Sequence, residues 1–402
     1  MNIPLAKPFI GEEECAAILK PLHSGWLVEG PHVQKFEQKF AAFTGATYAT
    51  ATSSCTAALH TAVTALRLQR GDEVIVPGFT WAATSNVVEY MGATPVFCDI
   101  DLGTFTMDVR RIEELITPRT KGIIPVHLFG LCADMDPLLD IAQKHHLWVV
   151  EDAACALGAH YRNMHAGNIG NLGCFSFHPR KSITTGEGGM IITNDEHLHE
   201  QVSSMRNHGA DTSSRERFES SEKFRMADHP YLGYNYRMTD MQGALGVAQM
   251  ERLEWILKQR KRLAYQYDTL LASLSWLRPQ HVPSWATHGY QSYVCLFNPE
   301  EPTISNVEYL SQQRNAIMKY LASKGVASCQ GTHAPFLLEY YTKKYGYTPN
   351  LCPQAFMADR LSIALPFYPQ MLKEEQEYVV KCLREWKPRY STHVPKVAPA
   401  MG

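Results

Sequence analysis

Cys174-Phe175-Ser176-Phe177-His178-Pro179-Arg180-Lys181 runs on into Ser182-Ile183-Thr184-Thr185-Gly186-Glu187-Gly188-Gly189 and then Met190-Ile191-Ile192-Thr193. An apolar strand ends in polar residues, a lysine follows, and a glycine-rich turn leads into a second apolar strand. A lysine presented in this way suits one of two jobs. It is a solvated, salt-bridging cation, or an amine whose pKa is lowered by partial burial so that it forms a Schiff base. In isolation the first is the commoner case, so the surrounding chain must decide.

Working upstream, a strand-turn-helix rhythm begins at Thr47. Apolar runs predict strands over 48–51, 74–76, 95–98, 122–126 and 147–150, with helices over 56–63, 84–90, 109–116 and 135–145. Strands buried on both faces with helices between them imply an α/β domain on a mainly parallel sheet. Ahead of it lie a short helix from Gly11 to Leu19 and an amphipathic helix over 33–43 that Gly45 ends.

Downstream, residues 209–230 are polar and carry both charge signs, as a long loop would. A helix-forming run over 240–271 follows. From about Ser273 the texture changes to a proline-dotted linker, a strand over 290–297 and helices over 311–322 and 372–385, which reads as a smaller α+β domain. The expected division is a large domain over 1–250, a small one over 251–390 and a loose Pro- and Ala-rich tail over 391–402.

A chain of 402 residues has the length for two cores, and a formal charge of -2 gives no basic field for nucleic acid. The ten cysteines are scattered, without a CxxC pair or a Cys/His cluster at metal-ligand spacing. They suit free thiols in a reduced, cytoplasmic compartment, and no metal. The N-terminus lacks the apolar core of a secretion signal, and no stretch is long and apolar enough to span a bilayer. The expected partner is a small molecule.

Three further stretches sit at predicted strand ends, where open α/β sheets bind ligands. Val149-Val150-Glu151-Asp152-Ala153-Ala154 ends in an acid that is a ligand-binding group or a helix cap. Thr52-Ser53-Ser54-Cys55-Thr56 opens a helix whose free N–H groups suit an anion, or is an ordinary serine cap. Gly78-Phe79-Thr80-Trp81 places an indole just past a strand, where core packing is the commoner use. A lysine amine, an aspartate, a hydroxyl-rich helix start with Ser176 nearby, and an aromatic ring are together what pyridoxal phosphate requires.

The order and wording of these motifs resemble the DegT/DnrJ/EryC1/StrS sugar aminotransferases. The resemblance extends from Ser24-Gly25-Trp26-Leu27 through Ser54-Cys55-Thr56-Ala57, Gly71-Asp72-Glu73-Val74 and Glu151-Asp152-Ala153-Ala154. It continues through Ser176-Phe177-His178, Gly186-Glu187-Gly188-Gly189, Arg206-Asn207-His208-Gly209 and Gly233-Tyr234-Asn235-Tyr236-Arg237-Met238-Thr239-Asp240 to Leu365-Pro366-Phe367-Tyr368-Pro369. It implies a fold-type I transferase, with a mainly parallel seven-stranded sheet between helices and a smaller C-terminal α+β domain.

The resemblance also implies roles. Lys181 is the Schiff-base lysine and proton shuttle, Asp152 pairs with the pyridine nitrogen, and Trp81 stacks on the ring. Cys55, Thr56 and Ser176 hold the phosphate, and Asn235 reaches across from a second subunit of a homodimer with a shared site. His333, Arg237 and His178 are substrate candidates, although a surface loop, an interface salt bridge and a structural role suit them as well. The basic residues Arg215, Arg217, Lys223 and Arg225 could meet a diphosphate, a solvated loop face being the commoner use.

Two positions depart from the family's pattern. Cys155 stands where Gln or His is usual near the cofactor's phenolic oxygen, and Cys55 stands where Gly is common. The implied reaction is transfer of an amino group from glutamate to a keto-sugar nucleotide, for a surface polysaccharide such as lipopolysaccharide or for a secondary metabolite. A keto-cyclitol acceptor stays open. A pyridoxal-phosphate-dependent sugar dehydratase is disfavoured by the presence of Lys181 and the absence of clustered cysteines, and a non-catalytic regulator by the complete set of cofactor residues.

Overall fold

Apolar β-branched runs dictate the centre of the molecule. The structure, a computed structural model, describes residues 1–212 and 226–388. Arg215, Arg217, Lys223, Arg225 and the 391–402 tail lie outside the described residues.

Strands β1 (Tyr48–Thr52), β2 (Glu73–Pro77), β3 (Thr94–Cys98), β4 (Thr120–Ile123) and β5 (Trp148–Asp152) are followed by a small hairpin, β6 (His160–Tyr161) and β7 (Met164–His165). Then come β8 (Leu172–Ser176) and β9 (Gly189–Thr193). Seven of these form one sheet in the order β1-β9-β8-β5-β4-β2-β3, in which β9 alone runs against the rest. The mainly parallel seven-stranded sheet is thus as expected. Every residue of β2 and β9 is buried, which explains why these strands read as continuous apolar runs rather than alternating ones.

The period of two splits each strand between two cores. Val74, Val76, Val150 and Ile191 join one apolar cluster, which continues without a break into Tyr267, Phe297, Leu310 and Val379 near the C-terminus. Ile75, Val149, Phe175 and Ile192 join the other, under Val33, Phe36 and Phe40. In that second layer the Phe40 ring meets Phe175 edge-on at 4.9 Å, and Phe36 lies 4.9 Å from Phe177. Aromatic packing therefore fastens the polypeptide on either side of Ser176.

Helices α1 (Glu12–Ser24), α2 (Pro31–Thr44), α3 (Cys55–Ala65), α4 (Ala83–Tyr90), α5 (Met135–Lys144) and α6 (Glu196–Arg206) precede a 32-residue helix, α7 (Asp240–Leu271). Thr239 and Gln242 form a reciprocal capping box that starts α7 where the sequence predicts. Residues 250 and 251, between which the sequence reading divides the chain, lie inside this continuous helix. Beyond it, β10 (Leu277–Pro279), β12 (Tyr293–Phe297) and β13 (Ser362–Leu365) make an antiparallel sheet, while β11 (Ala286–Thr287) pairs with β6.

Three expectations need correction. The helix expected over 109–116 is two single 3₁₀ turns, Val109–Arg111 and Glu113–Leu115. Asp108 caps the first turn, and so short a segment between it and Pro118 does not repay helix nucleation. The strand expected over 122–126 is Thr120–Ile123, since Pro125 has no N–H to continue the ladder. The strand expected over 290–297 begins at Tyr293, because Tyr290 takes a left-handed φ of 49° with its ring stacked on His288.

Candidate active site

The carboxyl ends of β1, β2, β5 and β8 emerge at one edge of the sheet, and each carries a residue singled out from the sequence. β5 ends in Asp152, which is buried. Its Oδ2 accepts a hydrogen bond from Thr84 Oγ1 at 2.8 Å and its Oδ1 one from the Ala154 N–H at 3.2 Å. Burial pushes its pKa above the ordinary carboxylate value, and these two donors and the Lys181 charge only partly oppose that.

Its neighbour Glu151 points to the opposite face and is equally buried. It accepts from His127 Nε2 at 2.7 Å and from the N–H groups of Gly167, Ile169 and Gly170 at 2.6–2.7 Å. Burial works against its charge, but His127 and the backbone donors hold its pKa below the usual value. Glu151 therefore fastens the loop that feeds β8, and Asp152 alone of the two faces the site.

At the β1–β9–β8 corner, Thr52, Gly189 and Ser176 sit in register on adjacent strands. Ser54 caps α3 by accepting from the Ala57 N–H at 3.1 Å. The first N–H groups of the helix, Cys55 and Thr56 among them, have no carbonyl a turn earlier to bond. A Cβ on Gly189 would lie 2.5 Å from the Ser54 carbonyl and 2.7 Å from the Cys55 nitrogen. Glycine is thus what lets the helix start sit against the strand carrying Ser176's partner.

Lys181 lies in the loop between β8 and β9, closed by the Phe177 N–H to Gly188 carbonyl bond at 2.9 Å. Its own N–H donates to the His178 carbonyl at 2.8 Å. Its carbonyl accepts from Arg260 Nη2 at 3.4 Å, while Arg260 Nη1 donates to the Gln291 carbonyl at 2.9 Å and Gln291 Nε2 to the Arg180 carbonyl at 2.6 Å. Arg260 is buried over the Phe367 ring, and desolvation pushes its pKa down to about 10.

The Lys181 ammonium donates to Cys155 Sγ at 3.0 Å. The lowered lysine pKa expected from sequence is corrected here. Burial lowers it, but Cys155, Cys55 and Asp152 outweigh burial and the net shift is upward.

Trp81, four residues past the end of β2, is 62% exposed. Its ring lies 5.3 Å from that of His333, brought in because the Thr80 N–H donates to the His333 carbonyl at 2.9 Å. His178 is used within the lysine turn, where its Nδ1 accepts from the Arg180 N–H at 3.2 Å, and desolvation lowers its pKa. Asn235 is exposed on the segment whose Tyr236 carbonyl accepts from the Ser53 N–H, and Arg237 donates to Asn207 Oδ1 at 2.8 Å.

Sequence reasoning missed Thr84, Glu151 with His127, and Arg260. Thr84 was within reach, three residues after Trp81 in a helix start. Arg260 had no signal beyond being an arginine on a long helix.

The model of the DegT/DnrJ/EryC1/StrS aminotransferase family matches residues 8–384. The chain belongs to this family. It is 36% identical over 384 residues to the spore coat polysaccharide biosynthesis protein SpsC of Bacillus subtilis, covering 95% of this chain and 96% of that protein. A Streptococcus pneumoniae protein described as a sugar aminotransferase, Spr1654 in its PMP form, superposes with a TM-score of 0.88 at 30% identity, over 96% of this chain and 98% of that one. Helicobacter pylori PseC, an aminotransferase involved in the biosynthesis of pseudoaminic acid, superposes with a TM-score of 0.86 at 25% identity over 96% and 99%.

The chain is accordingly a pyridoxal-phosphate-dependent sugar aminotransferase. Its residues fit that cofactor: a helix start whose Cys55 and Thr56 N–H groups are left over by the Ser54 cap, with a glycine-permitted close approach beside Ser176, a buried acid facing the site, an exposed indole and an amine. Among the described residues no helix is long and apolar enough to cross a membrane, and no group of three His, Cys, Asp or Glu is placed to hold a metal.

Proposed function

We propose that this family member transfers an amino group from glutamate to the keto carbon of a nucleotide-linked sugar, in the making of an amino sugar. The observation that carries the reading is the Lys181 amine at the same sheet edge as buried Asp152 and the α3 start. That SpsC is named for polysaccharide biosynthesis supports a surface polysaccharide as the destination.

In this reading the free N–H groups of Cys55 and Thr56, the positive helix end and the Ser176 hydroxyl bind the cofactor phosphate. Trp81 would pack against the cofactor and keep water from it. Asp152 would hold the protonated pyridine nitrogen, whose positive charge would offset the burial that raises the Asp152 pKa. Bound there, the cofactor supplies an electron sink for the substrate's α-carbon.

Lys181 would take up and return the proton of the substrate's α-carbon. His333, beside Trp81, faces the sugar. Arg237 anchors an anionic group, and Asn235 completes the phosphate site of a second copy, which makes the enzyme a homodimer. A cytoplasmic location suits both substrates.

The test is the visible absorption of the purified chain loaded with pyridoxal phosphate, beside Lys181→Ala. The wild type should be yellow, lose the colour with excess glutamate and regain it with a keto-sugar nucleotide but not with a keto-cyclitol. No colour in the wild type sinks the enzymatic reading. Colour restored by the cyclitol alone reassigns the acceptor.

A further inference from the structure

Cys155 Sγ lies 3.0 Å from Lys181 Nζ, and the thiol is only half-buried. The two arrive from different elements, each independently fixed. Cys155 sits in the turn that leaves β5, where the Ala153 N–H donates to the Cys174 carbonyl and the Ala156 N–H to the Ala153 carbonyl, both at 2.9 Å. Lys181 is held by its own turn and by Arg260. Their separation is within the range of about 3–3.5 Å from which bound groups react. Cys98 and Cys174, on strands β3 and β8 of the same sheet, are fully buried, so the packing role that explains them does not explain Cys155.

We propose that Cys155 and Lys181 form an oxidation-sensitive pair, in which hydrogen peroxide joins sulfur to nitrogen and thereby withdraws the lysine from cofactor binding. In the first step the sulfur attacks a peroxide oxygen. The S–O bond forms, the O–O bond breaks, and the thiol proton leaves with the departing oxygen as water, giving a sulfenic acid. In the second, the neutral amine of Lys181 attacks that sulfur. The S–N bond forms, the S–O bond breaks, and the hydroxyl leaves as water with one amine proton.

The sulfur gives up two electrons, the peroxide takes them, and the protein loses two hydrogens in all. A thiol reductant reverses the link by attack at sulfur. The cofactor competes for the same nitrogen, so loading protects the pair. This inference concerns the pair itself and stands whatever sugar the enzyme accepts.

The experiment uses the full chain freed of cofactor, treated with hydrogen peroxide and digested without reductant. Mass spectrometry should find the Cys155 and Lys181 peptides joined, two hydrogens lighter than their sum, and a thiol reductant should part them. The capacity to form the visible band with added pyridoxal phosphate should fall in step with the joined peptide and return on reduction. Preloading with cofactor should slow the link by about 10-fold or more, by denying access to the amine. Cys155→Ser, compared only with its own untreated sample, should load equally before and after peroxide.

Three results would overturn the proposal: Cys155 carried to the sulfinic acid with no joined peptide, an equal loss of loading in Cys155→Ser, or linkage at an unchanged rate in the preloaded chain.

Discussion

Asp152 is placed where its charge is disfavoured until something cationic arrives. Its carboxyl pKa is raised in the folded cofactor-free chain, so the stability it contributes is full below the unfolded value and is lost as pH rises through the folded one. Above that unfolded value, keeping this acid buried therefore costs the empty protein stability. Asp152→Asn is expected to raise the melting temperature of the cofactor-free chain at pH 7. It should also lower turnover of the loaded enzyme on the order of 100-fold, a trade of function against stability. Calorimetry beside steady-state kinetics reads both.

Lys181 gives a second expectation. With its pKa raised, the neutral amine is a minority species, so the rate at which the visible band appears on adding cofactor should climb about tenfold per pH unit across neutrality. Stopped-flow absorbance at several pH values checks this, and a flat profile would contradict the raised pKa. The identity of Lys181 was legible because a single lysine stood between two apolar strands. Cys155 was singled out only as a departure from the family's pattern near the cofactor; its contact with the lysine amine was not legible, since 26 residues separate the pair and only strand order brings them together.

At the scale of elements, the close approach of β9 to the start of α3 is the joint on which the proposed phosphate cradle depends. Gly189→Ala would press a methyl group into the Ser54 carbonyl and Cys55 nitrogen. The clash is with backbone, which cannot swing aside as a side chain would. Overpacking of this kind costs about 1–3 kcal/mol. If the helix start is what yields, pyridoxal phosphate should bind roughly 10-fold more weakly. Equilibrium titration of the absorption band measures the affinity, with circular dichroism confirming that the fold survives.

The strands around this joint were legible because burial on both faces leaves a continuous apolar run. The 109–116 segment was misread for the opposite reason. Its apolar residues suit a helix, but Ile112 is the one fully buried side chain of the 3₁₀ pair and its flanks, too little to carry a helix between Asp108 and Pro118. The boundary of β12 depended on a left-handed tyrosine, a conformation that no residue pattern announces.

For the molecule as a whole, the proposed sharing of the site between two copies makes a quantitative demand. Mixed and reassociated Lys181→Ala and Asn235→Ala chains place both intact residues in one of the two sites of each hybrid dimer. Activity should therefore reappear on mixing, to about a quarter of wild type for random pairing and independent sites. Kinetics on the mixture, with size-exclusion chromatography to confirm the dimer, decides the matter. If mixing restores nothing, Asn235 serves its own chain.

Arg260 carries a consequence for how the enzyme comes into being. One guanidinium grips the carbonyl of Lys181 together with those of Tyr290 and Gln291, and packs on Phe367. A ribosome delivers the chain from its amino end, and sheet elements settle as they emerge. The lysine is thus synthesised nearly two hundred residues before Phe367, the last part of its clamp. During that interval the strand edge is complete but the lysine turn is not yet gripped. The nascent polypeptide therefore acquires a finished catalytic turn only once Phe367 has emerged, long after the strands that flank the lysine have been committed to the fold.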